Sequence, residues 1–263
     1  MTELVRLAVD DRRVARITIA RPERKNAFDA ALIAALTATV AAVPNDARCV
    51  VLGSEGDAFC AGADLDWMRG MAGYSLAENR ADSAALAGLF GALDALPMPL
   101  IARVQGAAIG GGAGLVAVAD IAVATDAAVF AFTEVRLGIL PAVISPYVVR
   151  KVGSAFATAA FTTGIRFDAH RAFEVGLVES VVHDHELDGQ VDAFVAAVLS
   201  GGPAAVRAAK QLVRDVTGRA PADVRDLTVE RIAAIRVSDE GQEGMRAFLG
   251  RRAPRWAPPA EPR

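Results

Sequence analysis

The chain has 263 residues, of which 53% are hydrophobic, enough to bury a large core in one domain or in a domain with an appendage. Its formal net charge of −3 provides no overall attraction to nucleic acid or anionic lipid, and no apolar stretch reaches the roughly 18–20 residues of a membrane span, so we expect neither partner. The two cysteines, Cys49 and Cys60, lack zinc-type spacing, and the N-terminus lacks a secretory pattern; we expect a cytoplasmic protein without a bound metal.

A β-hairpin followed by a helix opens the predicted fold. Residues 4–9 and 14–20 alternate apolar and polar side chains around a charged turn, as paired antiparallel strands do. Residues 29–43 repeat apolar side chains at helical spacing, and Asp29 is a suitable N-cap residue. Residues 48–56 then predict a buried strand that ends in a turn.

The middle of the chain alternates helix and strand patterns. The Ala-rich segment 68–96 favours helix. Strands are expected at 100–106, 120–125 and 128–132, with a short helix at 111–119 between the first two. This alternation indicates an α/β fold with a largely parallel sheet and crossover helices.

Beyond about Pro141 the patterns are mainly helical, apart from one strand signal at 177–182. We therefore expect an α/β core over residues 1–200 and a helical C-terminal region over residues 201–263. The end of that region is rich in proline and arginine and is expected to be loose.

The glycine run AIGGGAGL (108–115) has three interpretations. Residues 112–117 satisfy the dinucleotide pattern GxGxxG/A, and Glu134 follows about 20 residues later, but the helix before Asp120 is too short for that unit. Close packing of a helix on a strand would explain one or two of the glycines. Consecutive glycines at a helix start also expose backbone N–H groups, which suits an anionic oxygen.

A second run of small residues favours the third interpretation. The segment GDAFCAGADL (56–65) places Ala61, Gly62 and Ala63 directly after a strand and turn, which leaves a bare backbone. Two such segments from adjacent strands could each direct one N–H at the same oxygen. That is the construction of an oxyanion hole.

Six segments together resemble the enoyl-CoA hydratase/isomerase (crotonase) superfamily. They are ARPERKNAF (20–28), GDAFCAGADL (56–65), ARVQGAAIGGGAGL (102–115), AVFAFTEVRLGILP (128–141), FDAHRAFEVGLVESVV (167–182) and EGMRAFLGRRAPRW (243–256). The resemblance implies a crotonase-like spiral of ββα units with a C-terminal helical region that mediates trimer contacts. It also implies homotrimers or homohexamers and binding of acyl-CoA thioesters, with CoA as part of the substrate and no separate cofactor.

The resemblance assigns the catalytic positions. Ala63 and Gly111 would donate the N–H groups that hold the thioester oxygen. Glu134 falls on the second of the two acids that hydratases of this family use. Gly114 occupies the position of the first acid and cannot carry a proton.

The resemblance also assigns substrate and CoA contacts, namely Lys25, Ala27, Ala61, Asp64, Leu65, Gly114, Phe248 and Arg251. Phe248 and Arg251 would approach the 3′-phosphate, often from a neighbouring subunit. The alternative for the basic loop around Lys25 is a solvated charged turn. Asp64 could equally be the N-cap of a following helix.

The expected reaction is hydration of a 2-enoyl-CoA, with Glu134 delivering a proton to the α-carbon. Apolar neighbours (Phe130, Phe132, Ile139 and Leu140) would favour its neutral form. The alternatives are Δ3,Δ2-enoyl-CoA isomerisation by the single glutamate and a non-catalytic acyl-CoA binder.

The segment around this acid resembles the methylglutaconyl-CoA and isohexenylglutaconyl-CoA hydratase branch. A carboxylated substrate of that kind would require a cation near its acyl end. Arg136 is a candidate for that cation, against the alternative of an ion pair or a surface position.

Histidine and cysteine chemistry is not expected. His183 and His185 lie in a polar loop without a third ligand at useful spacing. Cys60 has no base nearby in the sequence, so we interpret it as a small buried residue.

Overall fold

Residues 3–257 are described by the computed structural model of this chain, and their strands form two sheets. The strands are β1 (Val5–Val9), β2 (Val14–Ile19), β3 (Cys49–Ser54), β4 (Leu100–Val104), β5 (Ala107–Ile109), β6 (Ile121–Thr125), β7 (Val129–Ala131), β8 (Arg166–Asp168) and β9 (Ser180–Val182). The larger sheet has the order β1-β2-β3-β4-β6-β9, and the smaller sheet has the order β5-β7-β8. Only β1 with β2 and β7 with β8 pair antiparallel within these sheets, which confirms the predicted hairpin and largely parallel arrangement.

The α-helices of the described residues largely follow the sequence patterns. They are α1 (Ala30–Ala41), α2 (Leu65–Met71), α3 (Leu76–Asp94), α4 (Gly111–Val118), α5 (Ser145–Thr163), α6 (Ala169–Glu174), α7 (Leu187–Ser200), α8 (Pro203–Val216), α9 (Arg225–Val237) and α10 (Asp239–Leu249). Asp29 caps α1 as predicted, because its side chain accepts a hydrogen bond from the N–H of Leu32.

Three features differ from the sequence prediction. The segment 68–96 is divided between α2 and α3, because Ser75 and Glu78 form a capping box that starts a new helix. The strands β5 and β8 were not predicted; each has three residues and pairs with β7.

The larger sheet lies between two apolar clusters. On one face Val51, Ile101 and Val123 pack with residues of α7. On the other face the side chains of alternate positions pack with α1, α3, α4 and α5. The central strand β3 is buried along its whole length, as expected for a parallel strand covered on both faces.

The C-terminal region is helical, as predicted. α8 is fastened to the core by Lys210, whose Nζ donates to Asp120 Oδ2 at 2.6 Å and to the carbonyl of Met98 at 2.9 Å. Val237 and Leu249 are 77% and 81% exposed in the single chain. The last residues of the predicted loose tail, 258–263, lie outside the described residues.

Within residues 3–257 no single helix is long and apolar enough to cross a membrane. One bent pair, Asp184–Ser200 with Pro203–Val216 at 105°, meets the length and composition criteria only when taken together.

Candidate active site

The glycine run forms the start of α4. Gly110 precedes the helix with φ +54° and ψ −118°, a backbone conformation that residues other than glycine rarely adopt. A Cβ on Gly112 would stand 2.2 Å from the carbonyl oxygen of Cys60, so this glycine permits close approach of two backbones. In the described part of the chain the N–H of Gly111, in the first turn of α4, has no hydrogen-bond acceptor.

The second segment of small residues lies beside this helix start. Cys60 pairs with β5, because its N–H donates to Ala107 O and its carbonyl accepts from Ile109 N, both at 2.9 Å. Ala63 forms an isolated parallel bridge with Phe28. In such a bridge the hydrogen bonds flank Ala63, so its own N–H points away from Phe28, to the side where β5 lies. No acceptor for that N–H occurs among residues 3–257.

Glu134 reaches the same place from β7. Because β7 runs parallel to β5 with Ala131 opposite Ile109, the chain leaves both strands at one edge of the small sheet. Gly110 N donates to Ala131 O at 2.8 Å and fixes this register. A Cβ on Gly110 would lie 3.1 Å from Glu134 Oε1, so the carboxyl rests against the residue that precedes Gly111.

The carboxyl of Glu134 is unusual in its environment. Its Oε2 is buried and has no hydrogen-bond partner among the described residues. Burial raises the pKa of Glu134 above its ordinary value, and a hydrogen bond from its own backbone opposes that rise. The direction agrees with the sequence prediction that the neutral form is favoured.

The four apolar residues that were expected around Glu134 differ in depth. Phe130 and Phe132 are fully buried, but Ile139 and Leu140 are 55% and 69% exposed. The two exposed residues follow the 3₁₀ turn at 134–137, which carries them to the surface.

Gly114 faces apolar side chains. A Cβ at this position would stand 2.4 Å from Ile144 Cγ2 and 3.0 Å from Phe90 Cζ. Gly114 is itself buried, as are Ile144 and Phe90. The space where a first acid would project is thus filled, and the structure does not present Gly114 to a substrate.

The predicted CoA-contacting residues of the first half of the chain lie close together. The carbonyl of Lys25 accepts a hydrogen bond from Ala61 N at 3.0 Å, which joins the two loops. Lys25 and Leu65 are exposed, Ala61 is half-buried and Ala27 is buried.

Asp64 has a structural position rather than an open binding position. Its side chain is 5% exposed and caps α2 by accepting from Asp66 N at 2.8 Å and Trp67 N at 3.3 Å. Its second oxygen lies 3.4 Å from the guanidinium of Arg21. The N-cap alternative is therefore the correct one for this side chain, and Arg21 is an ion-pair partner rather than a free cation.

Phe248 and Arg251 are not brought to the site within one chain. Phe248 is 84% exposed, on a helix that packs on α8 and α9, and Arg251 is exposed just beyond that helix. Arg136 is also exposed, and a Cβ on Gly164 would lie 3.0 Å from its Nε. Arg136 thus lies against the C-terminal end of α5, where a cation is favoured by the helix dipole.

Histidine and cysteine side chains have other partners. His183 Nδ1 lies 2.7 Å from Asp126 Oδ2, and no group of three or more metal-binding side chains occurs in the described residues. Burial raises the pKa of the Cys60 thiol to about 12. The interpretation of Cys60 as an inert buried residue is consistent with this pKa.

Four residues that contact the site segments could not be identified from the sequence, namely Arg21, Phe28, Phe90 and Ile144. Each is far in the chain from the residue that it contacts, so no local pattern indicates the contact.

Known proteins resemble this chain over nearly its whole length. The family model described as enoyl-CoA hydratase/isomerase matches residues 10–259. A protein of Thermus thermophilus is 31% identical over 250 residues, which are 94% of this chain and 99% of the relative. A solved structure from Legionella pneumophila is 39% identical with a TM-score of 0.93, and the match covers 97% of this chain and 100% of that one. The crystal structure of an enoyl-CoA hydratase from Shewanella pealeana is 38% identical, with a TM-score of 0.90 and 96% of each chain covered.

The fold is therefore the crotonase spiral with a helical C-terminal region. The chain belongs to the enoyl-CoA hydratase/isomerase family. It is an enzyme of the hydratase class, and its family binds acyl-CoA thioesters.

Proposed function

We propose that the enzyme adds water across the 2,3 double bond of a 2-enoyl-CoA thioester. The N–H groups of Ala63 and Gly111 hold the thioester oxygen, and Glu134 transfers the proton. The observation that carries this proposal is the buried, unpartnered Oε2 of Glu134 in a carboxyl that rests against Gly110. A proton carrier and a free N–H donor thus lie side by side among the described residues.

The chemistry assigns a separate task to each group. The oxygen of water bonds to C3, and the π electrons of the double bond move toward the thioester, which leaves negative charge on its oxygen. The two N–H donors stabilise that charge, and loss of one such donor typically costs about 2.7–4 kcal/mol of transition-state stabilisation. Glu134 delivers its proton to C2 and takes the proton that water loses, so the enzyme ends the cycle unchanged.

The raised pKa of Glu134 supports this role. A group that gives and takes the same proton works best when its pKa is near the operating pH. Burial moves the pKa of this carboxyl upward, toward that range.

Isomerisation of a 3-enoyl-CoA is the second candidate, and the apolar packing against Gly114 favours it. Ile144 and Phe90 fill the position of the first acid, so the site has one proton carrier. One carboxyl suffices to move a proton between the α and γ carbons. Non-catalytic binding is not proposed, because the chain belongs to an enzyme family and has Glu134 at the acid position.

A branched or carboxylated short-chain substrate, such as 3-methylglutaconyl-CoA, is the finer proposal. Its support is the segment around Glu134, which resembles that branch of the family. The position of Arg136 against Gly164 provides no support for it as the carboxylate-binding cation. The charged substrate therefore needs to be compared directly with an uncharged one.

We also propose that CoA runs along the exposed loop of Lys25 and the segment Ala61–Leu65. Phe248 and Arg251 would complete the 3′-phosphate contact from a neighbouring subunit of a homotrimer or homohexamer. Three large apolar side chains of α10, Met245, Phe248 and Leu249, are 43%, 84% and 81% exposed in the single chain, which supports a partner at this surface. Light scattering of the purified protein tests the oligomer, and a monomer at all concentrations would contradict it.

The deciding experiment follows the products of three substrates, namely crotonyl-CoA, 3-methylglutaconyl-CoA and a 3-enoyl-CoA. A hydratase removes the conjugated absorbance of the first two and forms a 3-hydroxyacyl product. An isomerase instead conjugates the 3-enoyl substrate with no hydroxy product. Glu134→Gln should lower either rate by about 10²–10⁴-fold, whereas Glu230→Gln, at an exposed position of α9, should not. Full activity in Glu134→Gln would contradict the assignment.

A further inference from the structure

Phe28 touches both of the segments that carry the proposed N–H donors. Its N–H donates to Gly62 O at 2.7 Å, and its carbonyl accepts from Asp64 N at 2.8 Å. These two bonds flank Ala63 and direct the N–H of Ala63 to the opposite side. The main chain of Phe28 therefore determines where the first donor stands and which way it points.

The ring of Phe28 determines the position of the second donor. A Cβ on Gly111 would lie 2.9 Å from Cε2 and 3.0 Å from Cδ2 of this ring. The ring is thus in direct contact with the backbone of Gly111. Phe28 is 2% exposed, so the ring has no space into which it could withdraw.

Arg21 holds Phe28 in place from both sides. Its Nη1 donates to the carbonyl of Ala27 at 3.1 Å and lies 2.6 Å from Asp29 Oδ2. Its Nη2 lies 3.4 Å from Asp64 Oδ2. One guanidinium therefore connects the residues that flank Phe28 with the residue that follows Ala63. The side chain of Arg21 is only 13% exposed, which limits solvent competition for these contacts.

We propose that Phe28 is a positioning residue that sets the separation of the Ala63 and Gly111 N–H groups, with Arg21 as its clamp. The ring of Phe28 holds the backbone of Gly111 apart from that of Ala63, and the main chain of Phe28 orients Ala63 through their paired hydrogen bonds. This inference rests on the proposed oxyanion hole. Its consequence is that a smaller side chain at position 28 weakens polarisation of the thioester carbonyl and leaves CoA binding intact.

The test uses a conjugated aromatic 2-enoyl-CoA, whose absorption band moves to longer wavelength when its thioester oxygen accepts hydrogen bonds. Phe28→Leu should reduce that shift. It should also lower kcat for crotonyl-CoA by roughly tenfold to a hundredfold, with KM changed less than about threefold, since small misplacements act on the transition state. Phe194→Leu, which shortens a ring of α7 on the opposite face of the larger sheet, is the control and should leave shift and kcat unchanged.

Arg21→Lys loosens the same clamp while the ring stays, and should reduce the red shift in the same direction. It decides the matter if Phe28→Leu does not fold. Absence of any red shift in the wild-type protein would contradict the oxyanion hole itself. A normal shift and kcat in folded Phe28→Leu, or in Arg21→Lys where the first variant does not fold, would overturn the positioning role and leave the proposed function standing.

Discussion

Substitution of Gly114 by alanine measures how tightly the core fills the position of the first acid. The new Cβ would stand 2.4 Å from Ile144 Cγ2 and 3.0 Å from Phe90 Cζ, whereas carbon atoms pack about 3.5–4.0 Å apart. Both neighbours are buried, at 3% and 0% exposure, so relief requires movement of the core. Overpacking of this kind costs about 1–3 kcal/mol.

A matched control separates this overlap from helix propensity. Alanine is better than glycine inside a helix by about 0.8–1.0 kcal/mol, and that gain applies to Gly114→Ala as well. Gly88 lies inside α3, and a Cβ added there would meet no atom of a neighbouring residue within 4 Å, so Gly88→Ala should show the gain alone. The free energy of unfolding of Gly114→Ala should therefore lie about 1–3 kcal/mol below that of Gly88→Ala.

The assay is urea unfolding of both variants, together with Ile144→Ala and the double variant. Ile144→Ala alone should cost about 2–5 kcal/mol, since it opens a cavity in the core. The double variant should be less destabilised than the sum of its parts by about 1 kcal/mol or more, because the new methyl group enters that cavity. If the changes in unfolding free energy of Gly114→Ala and Ile144→Ala were strictly additive, or if Gly114→Ala and Gly88→Ala were equally stable, the predicted overlap with Ile144 would be wrong.

Three further predictions concern charge, reactivity and backbone shape. A hydrogen bond from Arg252 lowers the pKa of Glu243 to about 2, so this carboxylate stabilises the fold above pH 4.5, and the contribution is lost as pH falls toward 2. Glu243→Gln should make the free energy of unfolding less dependent on pH over that range, and an unchanged pH dependence would contradict the prediction. Iodoacetamide at pH 8 should alkylate the Cys60 thiol in urea but not in the native protein, because the thiol is buried and its pKa is raised. Mass spectrometry measures the labelling, and equal labelling in both conditions would contradict the burial of Cys60. Gly110→Ala should displace the carboxyl of Glu134, the proposed proton carrier, and lower kcat by roughly tenfold or more. Gly218→Ala, at a similar positive φ in open space, should only weaken folding, and equal kcat in the two variants would count against the contact.

Features of the fold that are decided within one turn of chain could be predicted. Asp29 caps α1 because its carboxylate reaches an N–H three residues away, and that distance is visible in the sequence. The glycine run begins α4 for a similarly local reason. The break before α3 had a signal too, the spacing of Ser75 and Glu78, but the Ala-rich composition concealed it.

The packing around the site could not be predicted, because its contacts join segments far apart in the chain. Gly114 meets Ile144 only after α4 and α5 have packed together. Ile139 and Leu140 are apolar yet exposed, since hydrophobicity describes a residue and not its depth. The strand β8 is too short for an alternating pattern and exists through its pairing with β7.

The contact between Gly114 and Ile144 also constrains how this site can evolve. A glutamate introduced at position 114 alone would collide with side chains already in place, so a two-acid site is not one substitution away. A smaller residue at position 144 would have to come first, and by itself it would bring no catalytic benefit and some loss of stability. The order of changes therefore matters: the proposed single-acid chemistry would be maintained by the core of this chain as well as by the identity of residue 114.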